Sequence, residues 1–327
     1  MTCNPWERRH PCRRVAVGAE PAGKMPALPG GPATIWLQTV AAWLLLGYLA
    51  SAATPAPKPE EPSSQDLVQQ GNRAFRSGDR MGAVALFSRA IEANPTNLLA
   101  YYNRGRLQET EGHYAEALAD YTKMLTLDTN HTTARQLRGA LQLRLGHVDE
   151  AIADFNRYLQ QLPKAESHHW QRGIAFYFAG HYEEGARQFT MTHAANTNDV
   201  ENALWHFQCI ARHEGLAKAR KALLPVGEDR RIPMMTVYDL FAGKATPEEV
   251  LAAAEAGSAP DQVRAHQRFL AHYYVGFFYE AQGNFTRALE QIDQAVKLAP
   301  RVDFIGDIAR VHAGLLRQRQ DQHSAKP

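Results

Sequence analysis

Glycine recurs at a fixed interval of 34 residues over much of this 327-residue chain. Two such series run in parallel, at Gly71, Gly105, Gly139 and Gly173 and at Gly78, Gly112, Gly146 and Gly180. Numbering each copy from the residue equivalent to Ser64 places the first glycine at position 8 and the second at position 15. An interval of this length is typical of one supersecondary unit stacked on copies of itself. It therefore restricts the chain to repeat architectures.

Other positions of the repeat keep the same chemical character. Position 20 is alanine or glycine, and position 24 is aromatic, as Phe87, Tyr121, Phe155 and Phe189. A further copy begins at Phe269, and proline at position 32 occurs in several copies. The pattern resembles the tetratricopeptide repeat, a pair of antiparallel helices. Small residues at positions 8 and 20 let the two helices approach, and glycine and proline end them. We therefore predict an all-α fold, a right-handed superhelix of antiparallel helix pairs.

The repeat pattern divides the chain into segments. We assign 64–197 to four repeats, 198–268 to degenerate helical repeats, 269–302 to a further repeat, 303–317 to an amphipathic closing helix and 318–327 to a polar tail that frays. Within the degenerate region, Leu216 to Leu224 and Met234 to Phe241 are predicted to be helical. Thr246 and Glu249 form a capping box with a proline between them, which predicts the start of another helix.

Residues 1–53 are predicted to be either a cleaved export signal or an uncleaved signal anchor. No Asp, Glu, Lys or Arg occurs from Met25 to Pro57, and the apolar run 40–49 is followed by small residues at 50–53. A basic front, an apolar core and small residues are typical of an export signal. The span 35–53 is also just long enough to cross a bilayer. A proline-rich spacer, 54–63, separates it from the repeats.

Basic charge before the apolar run favours export of the rest of the chain, so we predict a protein of the periplasm or cell envelope. It would contact the membrane only through the N-terminal segment, as an inner-membrane anchor if that segment is not cut. A start at Met25 would remove the basic residues and weaken this orientation. No cysteine occurs just after the apolar run, where a lipid-bearing one would be needed, and Cys209 is the next. The body can therefore form no internal disulfide, and Cys209 is predicted to be a half-buried helix residue.

Charge and motifs exclude several classes of function. The net charge is +2, but residues 1–52 hold five basic and two acidic side chains, which leaves 31 basic and 32 acidic residues elsewhere. The body therefore lacks the basic face that nucleic-acid binding requires. There is no phosphate loop, dinucleotide glycine motif, G-x-S-x-G or H-E-x-x-H. His113, His147 and His181 fall on successive repeats, too far apart for one metal. We predict no catalytic residue, metal or cofactor.

A binding surface remains. The first helix of each tetratricopeptide pair lines the concave side, mainly through positions 2, 5, 9, 12 and 13. The partner-binding residues predicted there are Asn72, Phe75, Tyr102, Arg106, Gln136, Trp170 and Tyr177. Aromatic side chains with polar neighbours favour docking of protein tails or peptides. Ile174 and Phe178 line the same side and could equally pack between repeats. Chaperone-binding members carry cations where this chain has Val68, Thr133 and Leu137, which disfavours a cochaperone.

Ordered landmarks between Glu166 and Leu316 add a second resemblance. They are the runs 172–177, 198–205, 237–243 and 273–281. This half of the chain resembles the NlpI group of bacterial envelope tetratricopeptide proteins. The resemblance implies a homodimeric, non-enzymatic adaptor that docks proteases or cell-wall hydrolases. The alternative is a membrane-anchored assembly scaffold for secretion or respiratory complexes, with the same fold and different partners.

Overall fold

The computed structural model describes residues 61–324, with side chains through Gln320. All regular structure in this range is helical. Its helices are α1 (Ser64–Arg76), α2 (Arg80–Ala93), α3 (Leu98–Glu111), α4 (Tyr114–Leu127), α5 (Thr132–Arg144), α6 (Val148–Gln161), α7 (Trp170–Phe178), α8 (Tyr182–Ala195), α9 (Val200–Glu214), α10 (Leu216–Lys221), α11 (Met234–Phe241), α12 (Pro247–Glu255), α13 (Asp261–Ala281), α14 (Phe285–Leu298) and α15 (Phe304–Ser324). A short 3-10 helix, Pro163–His168, precedes α7. The predicted all-α superhelix of helix pairs is confirmed.

The repeat positions pack as their chemistry requires. In the third repeat, a Cβ on Gly139 of α5 would lie 2.8 Å from the ring of Phe155 on α6, closer than real Cβ contacts come. Ala151 and Phe155 are both completely buried between the two helices. Gly112 ends α3 with a φ of 82°, which L side chains rarely adopt. The glycine, alanine and aromatic residues at the repeated positions are therefore each required for steric reasons.

The degenerate region, residues 198–268, is mostly helical, but its connections are irregular. α9 is followed by the short α10, which ends at Lys221, and an extended segment then leads to α11. Helix α12 begins with the capping box of Thr246 and Glu249. Helix α13 begins at Asp261, eight residues before the repeat boundary at Phe269. The first helix of the last repeat is thus longer than the pattern predicts.

An ion cluster joins the extended segment after α10 to the start of α9. Arg231 bonds Asp229 at 2.9 Å and Asp199 at 3.2 Å, and it also pairs with Glu201. All three carboxylates are at least nine-tenths buried. Burial alone would raise the pKa of Asp229, but hydrogen bonding and charge from Arg231 hold that pKa below its usual range. The segment is therefore fixed by a shared cation rather than by apolar packing alone.

The last helix returns to the earlier repeats. Helix α15 packs mainly on α14 and also contacts α5. It runs to Ser324, so residues 318–324, predicted to fray, continue the helix in this structure. The predicted leader and most of the spacer lie outside the described residues. Among the helices described, none combines the length and the apolar character needed to cross a bilayer.

Candidate partner-binding surface

Five of the seven predicted partner-binding residues lie on the first three repeats, on α1, α3 and α5. Phe75 is 42% exposed, and Asn72, Tyr102, Arg106 and Gln136 are partly exposed. Leu99, at position 2 of the second repeat, is 53% exposed. Single exposed apolar side chains are common on protein surfaces, so the relevant observation is that both Phe75 and Leu99 occupy groove-lining positions of adjacent repeats. This open part of the surface combines apolar area with polar groups.

The polar groups of the open part are held by their neighbours. Asn103 donates a hydrogen bond to Oδ1 of Asn72 at 3.2 Å, which links the first two repeats. Arg106 pairs with Glu109 at 3.4 Å, and the Arg106 side chain is 36% exposed. A guanidinium placed beside apolar side chains can bind a carboxylate of a docked segment through two parallel hydrogen bonds. The arrangement suits an extended peptide that carries both apolar and acidic side chains.

Gln136 connects the third and fourth repeats. Its amide nitrogen donates to Oε1 of Gln171 at 2.8 Å, and its Oε1 lies 2.7 Å from Nε2 of His169. Nδ1 of His169 accepts the backbone N–H of Arg172, so Nε2 carries the ring proton and donates to Gln136. Burial lowers the pKa of His169 to about 4, which keeps the ring neutral. Gln136 is therefore oriented within the protein.

Helix α15 contacts the second and third repeats through the carboxylate of Asp307. Asp307 accepts hydrogen bonds from Nε of Arg144 and from the hydroxyl of Tyr114, both at 2.8 Å. Arg144 also bonds Glu109 at 2.8 Å. Burial raises the pKa of Tyr114 to about 12, and the Asp307 carboxylate contributes to this, so the phenol remains a donor. These contacts bind α15 directly to α4 and α5, and Arg144 connects it to Glu109 of α3.

Helix α15 also covers the fourth repeat, and this corrects the prediction for Tyr177. Tyr177 is completely buried, and its hydroxyl donates to Glu280 of α13 at 2.8 Å. Ile174 and Phe178 are buried as well, so both pack within the protein. Trp170 stays partly exposed, but it packs edge-to-face on Phe304 of α15 at 5.1 Å. Tyr177 is inaccessible to a partner, because residues of α9, α13 and α15 surround it.

A buried charge network fixes the second half of α15. Glu280 bonds His312 at 2.8 Å and Arg319 at 3.0 Å. Burial alone would raise the pKa of Glu280, but the charges and hydrogen bonds of His312 and Arg319 hold that pKa below its usual range. His312 also packs against Phe277 at 5.0 Å. The network therefore ties α15 to α13, the first helix of the last repeat.

Sequence reasoning missed Phe304 and Asp307 because they lie outside the four repeats from which the surface was derived. The one available signal was an acidic residue at 307 within the apolar run of a predicted amphipathic helix.

Within the described residues, no group of three or more potential ligands could hold a metal ion. Cys209, predicted to be half-buried, is fully buried, and burial raises its thiol pKa.

Comparison with known families identifies the repeat. Residues 68–132, 109–172 and 269–302 match models described as tetratricopeptide repeat. These segments are tetratricopeptide repeats. A tetratricopeptide repeat protein of Parabacteroides merdae has a similar structure, with a TM-score of 0.51 and 20% identity. The match covers 76% of this chain and 98% of that protein, and at this identity it supports the fold alone.

Curated relatives match over short segments. Hsp70-Hsp90 organizing protein 2 of Arabidopsis thaliana is 39% identical over 64 residues, which is 20% of this chain and 11% of that protein. Human serine/threonine-protein phosphatase 5 is 33% identical over 88 residues, 25% of this chain and 17% of the phosphatase. The chain thus spans less than a fifth of the length of these relatives. Their similarity shows a shared repeat, and the resemblance to the NlpI group stays a prediction.

Proposed function

We propose that this chain is a non-enzymatic adaptor that docks partner proteins on the concave side of its first repeats. The observation that carries the proposal is the exposure of Phe75 and Leu99 at groove-lining positions. Tetratricopeptide repeats form protein-interaction scaffolds, which supports the same conclusion. The docked segment is an extended tail whose apolar side chains cover Phe75, Leu99 and Tyr102. An acidic group on that tail binds Arg106.

We further propose that the adaptor is exported and works in the bacterial cell envelope as a homodimer. The support is the sequence of the N-terminal segment and the resemblance to the NlpI group, in which such adaptors dock proteases and cell-wall hydrolases. The two curated relatives are named for Hsp70-Hsp90 organization and for phosphatase activity. A cochaperone role is less well supported here, because Val68 is 2% exposed where chaperone-binding members carry a cation.

Site-specific cross-linking in cells tests the docking surface. A photoreactive benzoylphenylalanine at Phe75 should capture partner proteins, because that position faces the open groove. The matched control is the same residue at Met81, which is 87% exposed on α2, the second helix of its pair. Tyr102→Ala should lower the affinity for the captured partner about thirtyfold or more, because truncation of a hot-spot residue costs about 2 kcal/mol or more of binding free energy. Equal capture from both positions would refute the proposed surface.

The location and oligomeric state have separate tests. N-terminal sequencing of the mature protein should begin near Ala53 or Thr54 if the export signal is cleaved. Retention of the leader together with inner-membrane fractionation would indicate the anchor, and cytosolic fractionation would contradict both. Light scattering on the Cys209→Ser chain should give twice the chain mass. A monomer at high micromolar concentration would contradict the NlpI-like proposal without affecting the fold.

A further inference from the structure

Helix α15 contacts the repeats through one face with regular spacing. Phe304 packs on Trp170, Asp307 binds Arg144, and Val311 lies 3.7 Å from where a Cβ on Gly146 would be. The three α15 residues are at i, i+3 and i+7, and therefore lie on one side of a helix. Anchors at these intervals are how an amphipathic helix docks in a groove of a partner protein. The chain thus binds its own last helix in the way that grooves bind foreign helices.

A second face of α15 packs into the last repeat. Ile305, Ile308 and Leu316 are at least 96% buried. This face is apolar, whereas the face that contacts the second and third repeats includes the buried carboxylate of Asp307. The specific recognition between α15 and these repeats therefore depends on a charge pair with defined geometry, which a partner's carboxylate could reproduce.

The sequence of α15 weakens the helix at a point where packing does not require it. Gly314 lies inside the helix, yet a Cβ there would have no neighbour within 4 Å. Glycine in a helix interior is destabilising relative to alanine. By contrast, a Cβ on Gly306 would lie 2.9 Å from Ala299, so packing does restrict that position. Five residues connect α14 to α15, so α15 is attached to the last repeat by a short connection.

We propose that the groove across the second to fourth repeats is a helix-binding site and that α15 is its internal ligand. The external ligand is an amphipathic helix of a partner protein with an aromatic residue, a carboxylate three residues later and a β-branched residue four beyond that. Such a helix makes the contacts of Phe304, Asp307 and Val311 and exchanges with α15. The inference rests on the proposed function, since it names the partner class for the part of the repeat surface that α15 covers.

Because α15 is covalently attached to the chain, it competes with any external helix for the same site. A segment on a short connection has an effective concentration on the order of millimolar, so an external helix at micromolar concentration rarely displaces it. Weakening the contacts of α15, while the groove residues Arg144, Tyr114 and Trp170 remain unaltered, should therefore open the site to the same helix added in trans. The intact chain should bind that helix poorly.

Helix exchange can be measured with a defined probe. A fluorescein-labelled peptide of residues 301–320 is titrated into the full chain and into its Asp307→Asn variant, and anisotropy reports binding. The variant should bind the peptide at least about tenfold tighter than the unaltered chain, about 1.4 kcal/mol. A peptide that itself carries Asp307→Asn should not show this tenfold increase in affinity for the variant chain. The matched control chain is Glu255→Gln, which loses an exposed pair with Arg268 between α12 and α13 and removes no contact of α15.

The outcomes separate clearly. Tighter binding by Asp307→Asn but not by Glu255→Gln supports the proposal, and equal or absent binding by both folded variants overturns it. If circular dichroism shows that the Asp307→Asn chain is not folded, hydrogen exchange on the unaltered chain tests the proposal instead. Amides of 304–311 that exchange before those of 269–280 support an exchangeable helix, and equal protection overturns it. Cross-linking from Phe75 is independent, so either proposal can fail alone.

Discussion

Replacing Arg231 by methionine should destabilise the protein strongly. The substitution keeps most of the side-chain volume but leaves Asp199, Glu201 and Asp229 without their shared cation, at exposures of 5%, 2% and 8%. Removing one partner of a buried ion pair typically costs about 3–5 kcal/mol, because the remaining charge stays desolvated. For a folded region of this size, that corresponds to a fall in Tm of roughly 10 °C.

The dependence on pH distinguishes this mechanism from lost packing. In the folded protein the pKa of Asp229 is lowered, so the carboxylate contributes stability above its unfolded pKa of about 3.9. That contribution is lost as the pH falls through the lower, folded pKa. In Arg231→Met that cation is gone and burial raises the folded pKa of Asp229 above its unfolded value, so the variant is relieved by protonation as the pH falls towards that value. The difference in unfolding free energy between the two proteins should therefore be largest at neutral pH and shrink towards pH 4.

Urea unfolding followed by circular dichroism at pH 7 and pH 4.5 checks both statements. Arg317→Met is the matched control, because Arg317 pairs with Asp293 while its side chain is 52% exposed. Exposed pairs contribute about 0–1 kcal/mol, so this control should change little. Equal losses for the two variants, or a loss at Arg231 that does not vary with pH, would refute the argument.

Two further outcomes are expected from the same structure. Burial lowers the pKa of His169 and His206 to about 4, so the unfolded chain takes up protons first as the pH falls below about 6.5. Each histidine should cost about 2 kcal/mol of stability by pH 5, measured as a lower urea midpoint, and an unchanged midpoint from pH 7 to pH 5 would contradict this. Gly139→Ala should destabilise by about 1–3 kcal/mol because its Cβ would meet Phe155 at 2.8 Å. Gly314→Ala, with open space, should stabilise by about 0.4–1 kcal/mol, and a reversed order of these two melting temperatures would refute the packing argument.

The repeats could be predicted from sequence because each of their rules is local. Gly139 and Phe155 are 16 residues apart and meet within one helix pair, so their spacing alone implies the contact. The same rule gives the exposed part of the surface, since Phe75 and Leu99 occupy groove-lining positions of α1 and α3 and are exposed there. Residues near the start of the array keep the environment that their positions imply.

Tyr177 could not be placed from its repeat position, because its environment depends on distant residues. Its hydroxyl binds Glu280, 103 positions later in the chain, and His312 of α15 packs against its ring. No periodicity within the fourth repeat carries information about either contact. The sequence did indicate an amphipathic closing helix, but an amphipathic pattern shows only that a face is buried and not which surface buries it. The position of α15 is therefore determined by tertiary contacts that the local sequence pattern does not encode.

The return of α15 also changes how stability is distributed. In an ideal solenoid each repeat contacts only its neighbours, so unfolding can begin at either end and spread. Here Asp307 of the last helix binds Arg144 of the third repeat and Tyr114 of the second, which links segments far apart in sequence. Opening either the third repeat or α15 breaks the same buried charge pair. The described repeats should therefore unfold with more cooperativity than a solenoid held by nearest-neighbour contacts alone, and an external helix that replaces α15 would preserve the groove but uncouple it from the C-terminal repeat.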